Sequence, residues 1–288
     1  MSPVRKVVDI LSKYRWLFVS SGIVLLTMNF VGVLKTTRLA DLEKVTATRF
    51  QNDILLSRAE FEQQLKGREG ENDRVYLNRL VDVVANGLLH IKTDDQKELD
   101  GFFRIKPTDN WIIFLLSYIY PSYWRVYHYM KPERTIARGV GYCGDAAIVA
   151  SWALEKRGIS PRLAAFDRGH VIAEIVLPSD SNSTQLDTIF VDADFGMIIS
   201  GSIEKIHRDT NLVRKAYLDA GYTQADADQL IYNYIGTFRY YKNYIDFSPR
   251  KLMLENLLYI LKWLIPLFLI LVPFVVMKRS RLFRLPSV

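Results

Sequence analysis

The chain has 288 residues, 49% of them hydrophobic, with 38 Lys and Arg against 31 Asp and Glu and a formal net charge of +7. This length can hold one sizeable globular domain with appendages or two small domains, and the single cysteine, Cys143, excludes an intrachain disulfide framework. The basic excess does not mark a nucleic-acid partner, because residues outside 36–250 carry 11 Lys/Arg against 2 Asp/Glu, whereas residues 36–250 carry 27 against 29.

In chain order, residues 1–15 form a basic N-terminus with Arg5, Lys6, Lys13 and Arg15. Residues 16–34 contain no charge, and 19 helical residues roughly match a ~30 Å hydrocarbon core, so residues 16–35 are predicted to be a first transmembrane helix. A cleaved secretory signal fits less well, since the apolar run is longer than a signal core and no Ala-x-Ala-like site follows closely. Residues 36–130 read as a helical region, with one helix over 38–66 and a second, amphipathic one over 71–91. Residues 111–129 hold eight aromatics: either a core helix ended by Pro121, an interfacial belt on lipid headgroups, or a wall of a substrate groove.

Residues 131–250 read as the core domain and the helices after it. Residues 144–157 are a strong helix pattern with basic residues in the last turn and Gly158 as the stop. Residues 162–166, 170–177 and 188–191 read as strands, and 203–220 and 224–235 as helices, so the expected class is α+β with an antiparallel sheet. Residues 255–277 are predicted to be a second transmembrane helix, with Lys262 snorkelling near one face, and 278–288 a basic tail with Lys278, Arg279, Arg281 and Arg284. The positive-inside rule then predicts two spans of a plasma (inner) membrane, both termini cytoplasmic and the central domain periplasmic.

Chemistry concentrates on Cys143, His170 and Asp192, in the order nucleophile, base and orienting carboxylate. A helix starting at a cysteine aims free backbone N–H groups and a partial positive charge at the sulfur, which favours thiolate. The Cys143 amide is also a natural oxyanion donor. His170 opens one strand, and Asp192 ends the next, where it can fix the imidazole tautomer; Asp187 and Asp194 compete for that role. His90, His128 and His207 have no comparable context. No cofactor or metal is implied, and Asp226 and Asp228 lack the later Gly and Glu of a calcium loop.

The segments Gly141-Tyr142-Cys143, Gly158 to Arg162, Gly169-His170-Val171-Ile172 and Phe190-Val191-Asp192-Ala193 together resemble the transglutaminase-like superfamily over about residues 134–197. Two departures stand out: Val171 and Ile172 follow the histidine where many members have an aromatic, and Ala193 follows the aspartate where many have Pro. The resemblance implies a papain-like cysteine fold that attacks a carboxamide or peptide bond, forms a thioester and passes the acyl group to water or an amine, as a cysteine protease, amidase or transglutaminase-type acyltransferase. The implied partners are the lipid bilayer and a protein or peptide substrate. The alternative is a catalytically silent module of the same type in a cell-envelope polysaccharide or export complex.

Overall fold

A computed structural model describes residues 13–35, 38, 56–89, 95–179 and 184–282. The chain is a mixed α/β protein with one antiparallel five-stranded sheet, and it divides into two compact units.

One unit comprises Arg38–Phe102 and His128–Leu252. Its helices are α2 (Arg58–Gln64), α3 (Asp73–Gly87), α4 (Gln96–Phe103, whose last residue falls in the other unit), α7 (Pro132–Arg138), α8 (Cys143–Lys156), α9 (Ile203–Arg208), α10 (Asn211–Asp219), α11 (Gln224–Ile231) and the short α12 (Tyr244–Phe247). The strands are β1 (Arg162–Phe166), β2 (Val171–Pro178), β3 (Leu186–Asp192), β4 (Met197–Ser200) and β5 (Phe238–Tyr241), in the order β4-β3-β2-β1-β5. Strand alternation sorts the apolar residues onto two faces. Leu163, Ala173, Ile175, Leu177, Ile189 and Val191 pack with α3 and α8, while Phe166, Ile172, Phe190 and Ile199 pack with α9 to α11. The sheet is therefore covered by helices on both faces.

Local signals explain the element ends. Asn72 caps α3 through Val75 N, and Ser57 caps α2 in a reciprocal box with Glu60. Of the helix expected over 38–66, residues 39–55 lie outside the described residues; 58–64 are helical. The helix expected from 203 to 220 is two helices, broken at Asp209 and Thr210. Residues 232–234 form a 3-10 turn in place of an α-helical end. Strands β4 and β5 were not expected.

The other unit comprises Met1–Thr37, Phe103–Tyr127 and Met253–Val288, with helices α1 (Arg15–Leu34), α5 (Pro107–Ile119), α6 (Pro121–Trp124) and most of α13 (Pro249–Leu282). The stretch 36–130, read from sequence as one region, is thus divided between the units. Two helices, Arg15–Leu34 and Pro249–Val276, are long and apolar enough to cross a membrane. They run antiparallel, since Trp16 meets Phe274 at 6.4 Å and Phe30 meets Trp263 at 5.3 Å between ring centroids.

Their contact has a sequence-level cause. Pro266 has no N–H, so the carbonyl of Lys262, four residues earlier, loses its helical partner. That carbonyl instead accepts Asn29 Nδ2 at 2.6 Å and Trp111 Nε1 at 3.3 Å. Gly22 lets the helices approach, because a Cβ there would stand 2.7 Å from Pro266 O and from Ile270 Cγ1. Lys262 does not snorkel as expected: it is 7% exposed, and its Nζ donates to Asp109 O at 2.6 Å.

Candidate active site

The approach to Cys143 is fixed before the cysteine is reached. Gly139 ends α7 at φ 74°, and Leu89 N donates to its carbonyl at 2.8 Å while Gly141 N donates to Leu89 O at 3.2 Å. Buried Arg138 donates through Nε to Val140 O at 3.2 Å. In the first turn of α8, Asp145 accepts Tyr142 N at 3.0 Å and His128 Nδ1 at 2.6 Å. Gly141 is required here, since a Cβ would lie 2.7 Å from Asp145 Cβ. Cys143 is the first residue of α8, so its amide is among those without an intrahelical acceptor. Its half-buried thiol donates to Gly169 O at 3.4 Å.

Sheet register brings the other two residues together. Ala173 pairs with Val191; continuing that register sets Asp192 opposite Ile172, diagonal to His170 on the same face. His170 Nε2 donates to Asp192 Oδ2 at 2.8 Å, with the imidazole 4% and the carboxylate 0% exposed. That leaves Nδ1 as the ring nitrogen free of Asp192, and Cys143 is near enough to bear on the ionisation of the ring. The β1–β2 turn that presents His170 is tied down: Gly169 takes φ 90°, and Asp167 accepts Thr237 N at 3.2 Å and Thr237 Oγ1 at 3.0 Å.

Two further residues complete the pair. Tyr234 OH donates to Asp192 Oδ2 at 2.6 Å and Tyr217 OH at 3.2 Å, and both tyrosines are buried. The His170 ring lies between Phe195, 5.7 Å away, and Tyr234, 5.5 Å away. Burial alone would push the imidazole down, but the charge and hydrogen bond of Asp192, with Cys143 adding to them, hold it well above the usual histidine range. Burial and the neighbouring Asp192 carboxylate hold the Tyr234 hydroxyl far above its ordinary value, and burial with Tyr234 and Asp192 does the same for Tyr217. Both therefore remain donors to Asp192.

The structure thus brings Cys143, His170 and Asp192 to one site, with the thiol on the carbonyl of Gly169 next to His170 and the imidazole on Asp192. Asp187 sits towards the other end of β3, held by Arg74 at 2.6 Å and by Ser179 Oγ at 2.8 Å, and Asp194 is buried without being the carboxylate against His170. His128 does have a context, contrary to the sequence reading: it pairs with fully buried Asp145, and with Arg138 it holds that carboxyl below the usual range against the opposing effect of burial. His207 packs on Phe238, and His90 lies outside the described residues. Tyr217 and Tyr234 were missed, and only their place among many aromatics was visible in sequence.

Among the described residues no group of three or more His, Cys, Asp and Glu side chains could hold a metal ion. Asp226 forms a capping box with Thr223, and Asp228 pairs with Arg214 at 2.8 Å. A cavity of about 740 Å³ opens along the C-terminal half of α8, lined by Tyr76, Trp152, Ala153 and Arg157, and contains none of the three site residues. Compared with family models, with curated proteins and with solved structures, the chain matches none.

Proposed function

We propose that this chain is a membrane-anchored cysteine enzyme of the transglutaminase-like type, acting on a carboxamide or peptide bond on the extracytoplasmic side. The observation that carries the reading is the buried His170–Asp192 hydrogen bond, 2.8 Å long, beside a thiol at a helix start. An imidazole fixed through Nε2 by a desolvated carboxylate has one orientation and one tautomer, and it presents Nδ1 to the sulfur. The Cys143 sulfur gives its proton to His170 and attacks the carbonyl carbon; the oxyanion is stabilised by amides at the start of α8. His170 then returns the proton to the leaving amine, and a thioester on Cys143 remains. Water or an amine attacks that thioester, giving its proton to His170, which passes it to the departing sulfur.

Membrane anchoring is supported by the exposure of α1 and α13: Trp16, Leu17, Phe30, Leu264 and Phe268 all face outward, where a soluble core helix would bury them. Their antiparallel course, with basic residues Lys13 and Arg15 at the N-terminal end of α1, supports both termini lying in the cytoplasm.

The test is acid-quenched mass spectrometry of the full chain after incubation with glutamine-containing peptides. An acyl adduct on Cys143, absent in C143A, is the expected result. No adduct, together with unchanged function of C143A in the cell, favours the silent binding module.

A further inference from the structure

The segment Phe103–Tyr127 belongs to the unit that contains the two apolar helices, and its ends are joined, since Tyr127 N donates to Phe103 O at 3.4 Å. It is a closed excursion of the chain. Residues 110–124 carry no charge. One face of α5 is committed to the protein: Asn110, Ile113 and Ser117 are fully buried, and α5 packs on α1 so closely that a Cβ on Gly32 would stand 1.7 Å from Thr108 O. The other face is open, with Leu115, Tyr118 and Ile119 each more than half exposed, and Tyr120 and Tyr123 beyond them.

Several polar groups at the start of this excursion are satisfied from within the unit, while Asn110 Nδ2 is buried without a hydrogen-bond partner among the described residues. The helix breaks at Asn110 (φ −152°, ψ 99°), whose side chain caps the restart through Ile112 N at 3.1 Å and Ile113 N at 3.2 Å. Asp109 accepts Tyr259 OH at 2.9 Å through its carboxylate and Lys262 Nζ through its carbonyl. Irregular backbone in contact with lipid is tolerated only when its polar groups are buried in protein in this way. A 13-residue helix is about 20 Å long and cannot cross a ~30 Å core. Its partners on α1 and α13, Gly32, Tyr259 and Lys262, lie at one end of the apolar helix pair, where a bilayer surface would fall. Exposed tyrosines, and Arg104 stacked 4.5 Å over the Tyr118 ring, are the residues that such a surface accommodates.

We propose that α5 and α6 form a third membrane-contacting element, lying in the plane of the interface with Leu115 and Ile119 in the acyl boundary and the tyrosine hydroxyls among headgroups. The inference rests on reading α1 and α13 as spans. The partner is the bilayer itself, and the direct packing of α5 on α1, one of two apolar helices that share its unit, selects it over a soluble ligand.

The single native cysteine makes the test direct. In a C143S full chain reconstituted into phosphatidylcholine–phosphatidylglycerol vesicles, nitroxides are placed singly at L115C and I119C, with V24C and F268C as span references and V176C on the sheet as an aqueous reference. The measured quantity is the ratio of collision with oxygen, which enriches in lipid, to collision with a water-soluble nickel chelate. The proposal expects ratios at 115 and 119 severalfold above that at 176 and below those at 24 and 268. Ratios at 115 and 119 equal to that at 176, with 24 and 268 in lipid, overturn this inference alone. Nitroxides at 115 and 119 shielded from both reagents indicate a protein partner and also overturn it. Aqueous ratios at all sites overturn it together with the reading of α1 and α13 as spans.

Discussion

At Asp192 three donors converge on one oxygen, and the site's electrostatics follow from that convergence. His170, Tyr234 and Tyr217 all donate to Oδ2 of a fully buried carboxylate. A charge this far from water needs such donors, since each missing one costs about 1–3 kcal/mol. Y234F, which keeps the ring and deletes a 2.6 Å bond, is therefore expected to lower unfolding free energy by about 1–3 kcal/mol in a urea titration. D192N is expected to slow turnover on the order of 100- to 10,000-fold, because the imidazole loses the acceptor that fixes its tautomer. The same variant changes the pH dependence of stability. The raised histidine contributes in full below about pH 6.5, where folded and unfolded chains both bind the proton; above that the folded state binds more, so stability falls as pH rises through the folded value. Urea midpoints measured across this range should show that decline in the wild type and a flatter profile in D192N; identical slopes contradict the assignment. Cys143, His170 and Asp192 were legible in sequence because helix start and strand end are local properties. The tyrosines were not, because Tyr217 and Tyr234 reach Asp192 from elements 25 and 42 residues away that carry no motif. His128 was passed over for the same reason: its partner Asp145 lies 17 residues on, inside a helix start whose capping geometry only the fold displays.

Elements with strong periodic signals were placed well: α8, β1 and the two long apolar helices fall where composition predicts. Strand β5 was not visible because four residues, Phe238–Tyr241, pair with β1 across more than 70 residues of chain, and its aromatic and basic sequence reads equally as an approach to a membrane. Strand β4 is equally short and gains its order from β3. The contact between α1 and α13 was hidden in another way. Its key is an absent hydrogen-bond donor at Pro266, which frees Lys262 O for Asn29 and Trp111. N29A is accordingly expected to weaken the helix pair by about 1 kcal/mol, read from unfolding in detergent micelles. G32A should be more disruptive, because its Cβ meets backbone at Thr108 rather than a movable side chain. An N29A chain as stable as wild type would show that the freed carbonyl is not what joins the helices.

For the whole molecule, the charge asymmetry between ends and middle, the antiparallel course of α1 and α13, and the placement of a lone thiol in the sheet-bearing unit support the proposal of an anchored domain whose chemistry would face away from the cytosol. Cys143 serves as its own reporter of sidedness, and a membrane-impermeant maleimide added to intact cells is expected to label it, with labelling only after lysis contradicting the topology. The central claim is that the fold activates this sulfur through His170. It is tested most directly by the second-order rate of iodoacetamide alkylation of Cys143 in the folded full chain at neutral pH, followed by mass spectrometry beside H170A and a free small-molecule thiol. The account predicts that Cys143 reacts faster than the free thiol and that H170A removes the advantage; a Cys143 slower than the free thiol and indifferent to H170A would contradict it.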